Sequence, residues 1–176
     1  MIYFVRHGES EANLAGLFAG QKEDSLLTQK GREQALVTAQ EIKKVHSIDK
    51  IISSPLKRAL ETAQIIAKEL GINPDNIVIE KQITEYDMGS LTGTPFHKIS
   101  SLLLTTAENA EDPDLFKERV ISFIKKLSNS NETILIVSHA GVGRILETIK
   151  ENMEAKYFYD LPAWSNASVT LIDWIK

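Results

Sequence analysis

Residues 133–138 read Thr-Ile-Leu-Ile-Val-Ser, an unbroken apolar run with a polar residue at each end. A strand with one wet face alternates apolar and polar positions, so a strand apolar throughout is read as buried on both faces. Such a strand belongs in a sheet that helices cover from either side. The rest of the chain fits that demand. Residues 2–5 (IYFV), 48–53 (IDKIIS), 77–80 (IVIE) and 168–174 (SVTLIDW) read as further strands. Helical patterns lie between them. One spans 28–45, with Thr28 as N-cap and Ala35, Thr38, Ala39, Ile42 and Val45 on one face. A second starts at Ser54-Pro55, carries Leu56, Ala59, Ala63, Ile66 and Leu70, and stops at Gly71. A third starts at Asp112-Pro113 with Phe116, Val120, Phe123, Ile124 and Leu127, and a fourth spans about 140–151 with Val142, Ile145, Leu146 and Ile149. Strands alternating with helices predict an α/β fold, a three-layer α/β/α sandwich around a mostly parallel sheet.

No repeat, linker or low-complexity tract divides the chain, so its 176 residues are expected to form a single domain, 1–176. The segment 86–112 is the least regular: Gly89, Gly93 and Pro95 mark turns, and 99–104 is apolar but short. The net charge of −4 argues against a nucleic-acid partner, whose binders carry a basic surplus. It leaves room for a local cation cluster and a small anion. With no cysteine, disulfides, thiol nucleophiles and thiolate metal sites are excluded. No apolar run approaches the ~20 residues of a membrane span and no leader pattern opens the chain, so a cytoplasmic protein is expected. Nothing in the sequence sets an oligomeric state.

The ends of the strands carry the chemistry. In open parallel sheets, ligands bind beyond the carboxyl ends of the strands. Here the first strand ends in Arg6-His7-Gly8 and the second in Ser53-Ser54-Pro55, with Arg58 close behind. The strand at 133–138 runs into His139-Ala140-Gly141. In a parallel sheet these loops share one edge, gathering two arginines, two histidines and two helix N-termini. Guanidinium forks and free helix N–H groups both suit phosphate.

Val5-Arg6-His7-Gly8-Glu9-Ser10, followed by Asn13, resembles the signature of the histidine phosphatase (phosphoglycerate mutase-like) superfamily. Four more blocks in order resemble that family: Leu27–Gly31 with Gln34-Ala35, Ser53–Ala59 with Glu61–Ala63, Glu85–Gly89 with Leu91 and Gly93, and Val137–Gly141. The resemblance implies a phosphoglycerate mutase-like sandwich with a lid inserted at about 86–130. It implies that His7 is the nucleophile and carries a phosphoryl group transiently. Arg6, Arg58 and His139 would bind the phosphoryl oxygens, Glu85 would protonate the leaving oxygen and then activate water, and Asn13 would help bind substrate. The closest kind implied is a small phosphatase of the broad-specificity or α-ribazole phosphatase type.

That assignment is chemically coherent. A neutral imidazole nitrogen is a competent nucleophile. Arginines can balance the equatorial oxygen charge, so no metal or other cofactor is expected. The expected function is hydrolysis of small phosphorylated metabolites. Mutases of the family carry a longer insertion and a C-terminal tail, whereas the Glu85–His139 stretch is short and the chain ends after its last strand. Phosphoglycerate mutase-type transfer is the first alternative. A non-catalytic binder of phosphorylated ligands and a metal hydrolase using His7, His139 and a carboxylate are the others. Simpler readings apply elsewhere: Glu9 pairs with a base or faces substrate, Ser10 and Thr28 cap helices, His46 lies at the surface, His97 lies outside the chemistry or lines the pocket, and Leu102–Leu104, Trp164 and Trp174 pack.

Overall fold

The structure, a computed structural model, describes residues 1–45 and 47–175; His46 lies outside the described residues. Among the described residues, five strands form one sheet: β1 (Ile2–Arg6), β2 (Lys50–Ser53), β3 (Val78–Ile79), β4 (Ile134–Ser138) and β5 (Val169–Leu171), in the order β3-β2-β4-β1-β5. β1, β2, β3 and β4 are mutually parallel, and β5 runs antiparallel to β1 at the edge. After β1 come α1 (Glu11–Leu14) and α2 (Gln29–Val45), after β2 comes α3 (Lys57–Leu70), after β3 come α4 (Ser101–Thr105) and α5 (Pro113–Ser128), and after β4 comes α6 (Ala140–Lys150).

The unbroken apolar run is the central strand β4, buried at every position. Its alternate side chains enter two different cores. Ile134 and Ile136 meet Ile2, Phe4 and Ile52 on the face covered by α5 and α6. Leu135 and Val137 meet Tyr3, Val5 and Ile51 on the face covered by α2 and α3. α3, α5 and α6 turn inward the stripes their spacing predicts, and α2 does so at Ala35, Thr38, Ala39 and Ile42. Phe116, Val120 and Ile124 of α5 are fully buried, as are Ala59, Ala63 and Ile66 of α3. Burial on this scale makes α5 a layer of the fold, although it occupies the second half of the 86–130 segment. Truncating Phe116 to alanine would cost ~3–5 kcal/mol.

Local chemistry sets most boundaries. Asp112 caps α5, its carboxylate accepting the N–H groups of Asp114 and Leu115, and Pro113 opens the helix. Thr28 Oγ1 accepts the Gly31 N–H at 3.0 Å, as a cap of α2 should. Ser10 caps α1 in a reciprocal box with Asn13. The expected start of α3 at Ser54-Pro55 is not observed. The helix begins at Lys57 behind Leu56, which offers no side-chain cap; Ser54 Oγ accepts the Leu56 N–H at 3.4 Å and also lies 2.7 Å from His139 Nε2. The last strand is shorter than 168–174: Val169–Leu171 form the ladder with β1, and beyond them the Ile172 N–H donates to the Ile2 carbonyl. In the irregular segment, Leu104 is buried in the core while Leu102 and Leu103 are exposed.

Candidate active site

The sheet order brings the two histidines together. β1 and β4 are parallel neighbours with Arg6 opposite Ser138. The next residue on each strand is a histidine, and the two rings lie 5.2 Å apart between centroids. Strand order reverses direction at this point, which is where open α/β sheets leave a crevice.

The loop after His7 can descend to the sheet because Gly8 has no side chain. A Cβ there would sit 2.3 Å from the carbonyl oxygen of Gly31 at the start of α2. His7 is buried, and its Nδ1 lies 2.7 Å from the carbonyl oxygen of Gly8. Arg58 Nε lies 3.3 Å from His7 Nε2. A carbonyl can only accept and a guanidinium can only donate. The proton is therefore on Nδ1, and Nε2 presents its lone pair. Burial, then the charges of Arg58 and Arg6, hold the His7 pKa well below the ordinary 6.5, so the ring is neutral at neutral pH.

Arg58, only 1 % exposed, is held by backbone as well: its terminal nitrogens donate to the carbonyls of Glu23 and Gly20 at 3.2 and 2.8 Å. Arg6 donates to the Trp164 carbonyl at 2.7 Å. His139 is fully buried, and burial followed by the charge of Arg58 likewise keeps it neutral. Among the described residues, two buried side-chain nitrogens have no protein partner: Arg6 Nε and His139 Nδ1.

Glu85 stands across the site on an irregular segment pinned by other elements. One carboxylate oxygen accepts the N–H of Tyr86 at 2.8 Å, and the other that of Gly141 at the N-terminus of α6 at 3.2 Å. Its backbone carbonyl is held by Gln21 and by Arg119. Asn13 Oδ1 accepts from Ser10 N and from Asn166 Nδ2, which leaves its own amide NH₂ to offer outward.

A cavity of about 270 Å³ opens at this edge, with Arg6, His7, Asn13, Arg58 and Glu85 on its wall. Five of the six residues predicted from the sequence therefore share one cavity. His139 is not on its wall. Glu9 turns away to pair with Lys30 at 2.9 Å and to accept from Thr28. His97 is exposed, while its neighbour Phe96 lines the cavity. Trp164 packs edge-on against Phe4, and Trp174 lies under the Lys150 ammonium. The sequence reading took Ser54 for a helix cap and missed Arg119, Arg144, Tyr159 and Asn166, none of which belongs to a spaced motif. Among the described residues, no group of three or more His, Asp or Glu side chains is placed to hold a metal ion, and no helix is long and apolar enough to cross a membrane.

Comparison with known proteins identifies the family. Residues 2–176 match the histidine phosphatase superfamily (branch 1). The 2,3-bisphosphoglycerate-dependent phosphoglycerate mutase of Thermoplasma acidophilum is 32% identical over 96% of this chain and 84% of its own. The crystal structure of the phosphoserine phosphatase of Entamoeba histolytica with 3-phosphoglyceric acid is 28% identical and superposes with a TM-score of 0.77 over 96% of this chain and 87% of its own. YhfR of Bacillus stearothermophilus shares the fold, with a TM-score of 0.83 at 24% identity over 99% and 92% of the two chains. Relatives thus include both mutases and phosphatases, and the chain belongs to the histidine phosphatase superfamily.

Proposed function

We propose that this chain is a phosphatase that hydrolyses small phosphomonoesters through a phosphoryl group carried on His7. The observation that supports this best is the state of His7: a buried, neutral imidazole with its Nε2 lone pair directed at a guanidinium, beside the partnerless nitrogens Arg6 Nε and His139 Nδ1. Those two N–H donors suit phosphoryl oxygens, whose charge rewards preorganised donors in a buried site. For His139 this requires the Ser54 hydroxyl to donate to Nε2, which puts the ring proton on Nδ1.

In this reading, the substrate phosphate takes the Arg58 Nε–H away from His7. His7 Nε2 attacks phosphorus while the P–O bond to the leaving group breaks, and Glu85 gives its proton to the departing oxygen. The Gly8 carbonyl holds the Nδ1 proton and favours the positive charge that forms on the ring. Glu85 then takes a proton from water, the hydroxide attacks phosphorus, and phosphate leaves as His7 regains its lone pair. No metal is invoked. The cover over this site would be the segment 88–104 together with 155–164, so that α5 contributes support and not the lid expected over 86–130.

Rapid-quench incubation with labelled substrate tests the reading. It predicts an acid-labile, base-stable phosphoprotein that is lost in His7→Ala, and free phosphate as product. The mutase relative favours one competing reading. If added 2,3-bisphosphoglycerate diverts the phosphoryl group to an isomerised sugar acid in place of free phosphate, transfer and not hydrolysis is the reaction.

A further inference from the structure

The loop before β5 reaches back to the strand end that carries His7. Asn166 Nδ2 lies 3.0 Å from the His7 carbonyl oxygen and 3.2 Å from Asn13 Oδ1. The next residue adds to the grip: the Ala167 N–H donates to the Arg6 carbonyl at 2.9 Å. The Ala167 carbonyl in turn accepts the buried Thr38 hydroxyl of α2 at 2.6 Å. Ala167 holds a φ of 57°, in the left-handed region that residues with a Cβ rarely adopt. Such outliers persist only where the surroundings over-determine them, and they cluster at functional sites. Here the surroundings include the main chain of Arg6 and His7.

Donor and acceptor polarity fixes both amides. The Ser10 N–H can only donate, so the Asn13 atom 3.2 Å from it is the carbonyl oxygen. That oxygen and the His7 carbonyl can only accept, so Asn166 must turn its NH₂ group to both. Asn13 Oδ1 then has both lone pairs taken, by Ser10 and by Asn166. Turning the Asn13 amide over would set its NH₂ against two donors and break both bonds. Its NH₂ is therefore held on the side away from Ser10 and Asn166, and Asn13 is on the cavity wall with Arg6, His7 and Arg58. The Ser10 bond belongs to the cap of α1. The bond from Asn166, 153 positions away, has no part in that cap.

We propose that Asn166 is a positioning residue for phosphoryl transfer: it locks the Asn13 amide so that an N–H donor, and not a carbonyl oxygen, meets the phosphoryl oxygens. This rests on the phosphatase reading for the phosphate that Asn13 meets. Asn166 is not on the cavity wall, so it acts through Asn13. A carbonyl oxygen turned to the anion would repel it, whereas a preorganised N–H stabilises it, so the orientation decides the sign of the Asn13 contribution.

A double-mutant cycle on kcat/KM for p-nitrophenyl phosphate tests this. Rates are taken per folded molecule, from urea unfolding of all four proteins, so that lost stability does not enter. Asn166→Ala should lower the wild-type value by about 10- to 100-fold, the scale of a misplaced contact near a reacting centre. In an Asn13→Ala background the same change should cost less by more than about twofold, the margin within which independent sites add. An unaltered rate in Asn166→Ala, or an equal cost in the two backgrounds, overturns the proposal. Asn166→Leu, of similar size and without a donor, replaces the alanine variant under the same criteria if that variant does not fold. A wild type that turns over no phosphomonoester overturns the phosphatase reading alone, and the cycle is then measured on the calorimetric affinity for inorganic phosphate by the same criteria. A wild type that does not bind phosphate either overturns both.

Discussion

The Glu85 carboxylate occupies the space that a side chain at Gly141 would need. A Cβ on residue 141 would fall 2.1 Å from Glu85 Oε1, while the Gly141 N–H donates to the other carboxylate oxygen. The proposed acid is thus seated against the first turn of α6 by a residue 56 positions away in sequence. The clashing atom is the far end of a flexible side chain, so Gly141→Ala should fold and displace the carboxylate. Turnover of alkyl phosphates, whose alkoxide needs a proton, should fall by about 10²-fold or more. p-Nitrophenyl phosphate, whose phenolate hardly needs one, should suffer far less. Pre-steady-state rates on both substrates check this, and equal losses would place Glu85 outside the proton transfer.

Arg119 of α5 seats the same acid from behind. It donates to the carbonyls of Gln82, Thr84 and Glu85 at 2.7, 2.9 and 3.1 Å, and pairs with both carboxylate oxygens of Glu111. Glu111 in turn accepts the Asp87 N–H. Five donations from one guanidinium splint the loop that carries Glu85, and lysine cannot reproduce that fork. Arg119→Lys should lower kcat with little change in KM, and by about tenfold more for alkyl than for nitrophenyl phosphate. A uniform loss on both substrates, tracking lost stability, would mean that Arg119 serves the fold alone.

The parts of this protein readable in its sequence are those where a local pattern has one physical outcome. The run at 133–138 had to be a doubly buried strand, and Asp112-Pro113 had to open a helix. A parallel arrangement then carried Arg6, His7, Arg58 and His139 to one edge. What escaped reading was tertiary in origin. Ser54 looks like a helix cap, but its hydroxyl also meets His139 from the end of a strand far along the chain. Arg119, Arg144 and Asn166 owe their places to backbone carbonyls of distant loops, which no spacing announces. The segment 86–112 is short turns and the five-residue α4, whose course depends on what they pack against.

Arg58 is a test of geometry over charge. Its three nitrogens serve three different acceptors, His7 Nε2 and the carbonyls of Glu23 and Gly20. An ammonium in its place keeps the charge but cannot span all three. Arg58→Lys should lower kcat by about 10²–10³-fold, as removal of one preorganised donor does. It should also cost ~1–3 kcal/mol, because it strands the buried Gly20 carbonyl. Steady-state kinetics and urea unfolding measure the two effects, and near-normal kcat would remove Arg58 from the phosphate site.

The two buried histidines tie stability to pH. Both have pKa values well below 6.5, first through burial, and Arg58 adds to the effect at each. In the unfolded chain they titrate near ~6.5. Below that pH the unfolded state binds protons that the folded state refuses, so folding stability falls as pH falls. Their contribution is fully present above the unfolded pKa and is lost as pH drops toward the folded values. The loss is at most ~1.4 kcal/mol per pH unit for each histidine. Urea unfolding at pH 7 and at pH 5.5, where carboxylates remain largely ionised, should show it. His139→Gln removes one titrating ring, and its stability should depend less steeply on pH than the wild type by about one histidine's share. Equal slopes in the two proteins would mean that His139 takes up a proton in the folded state, and that it could not serve the site as the neutral donor proposed here.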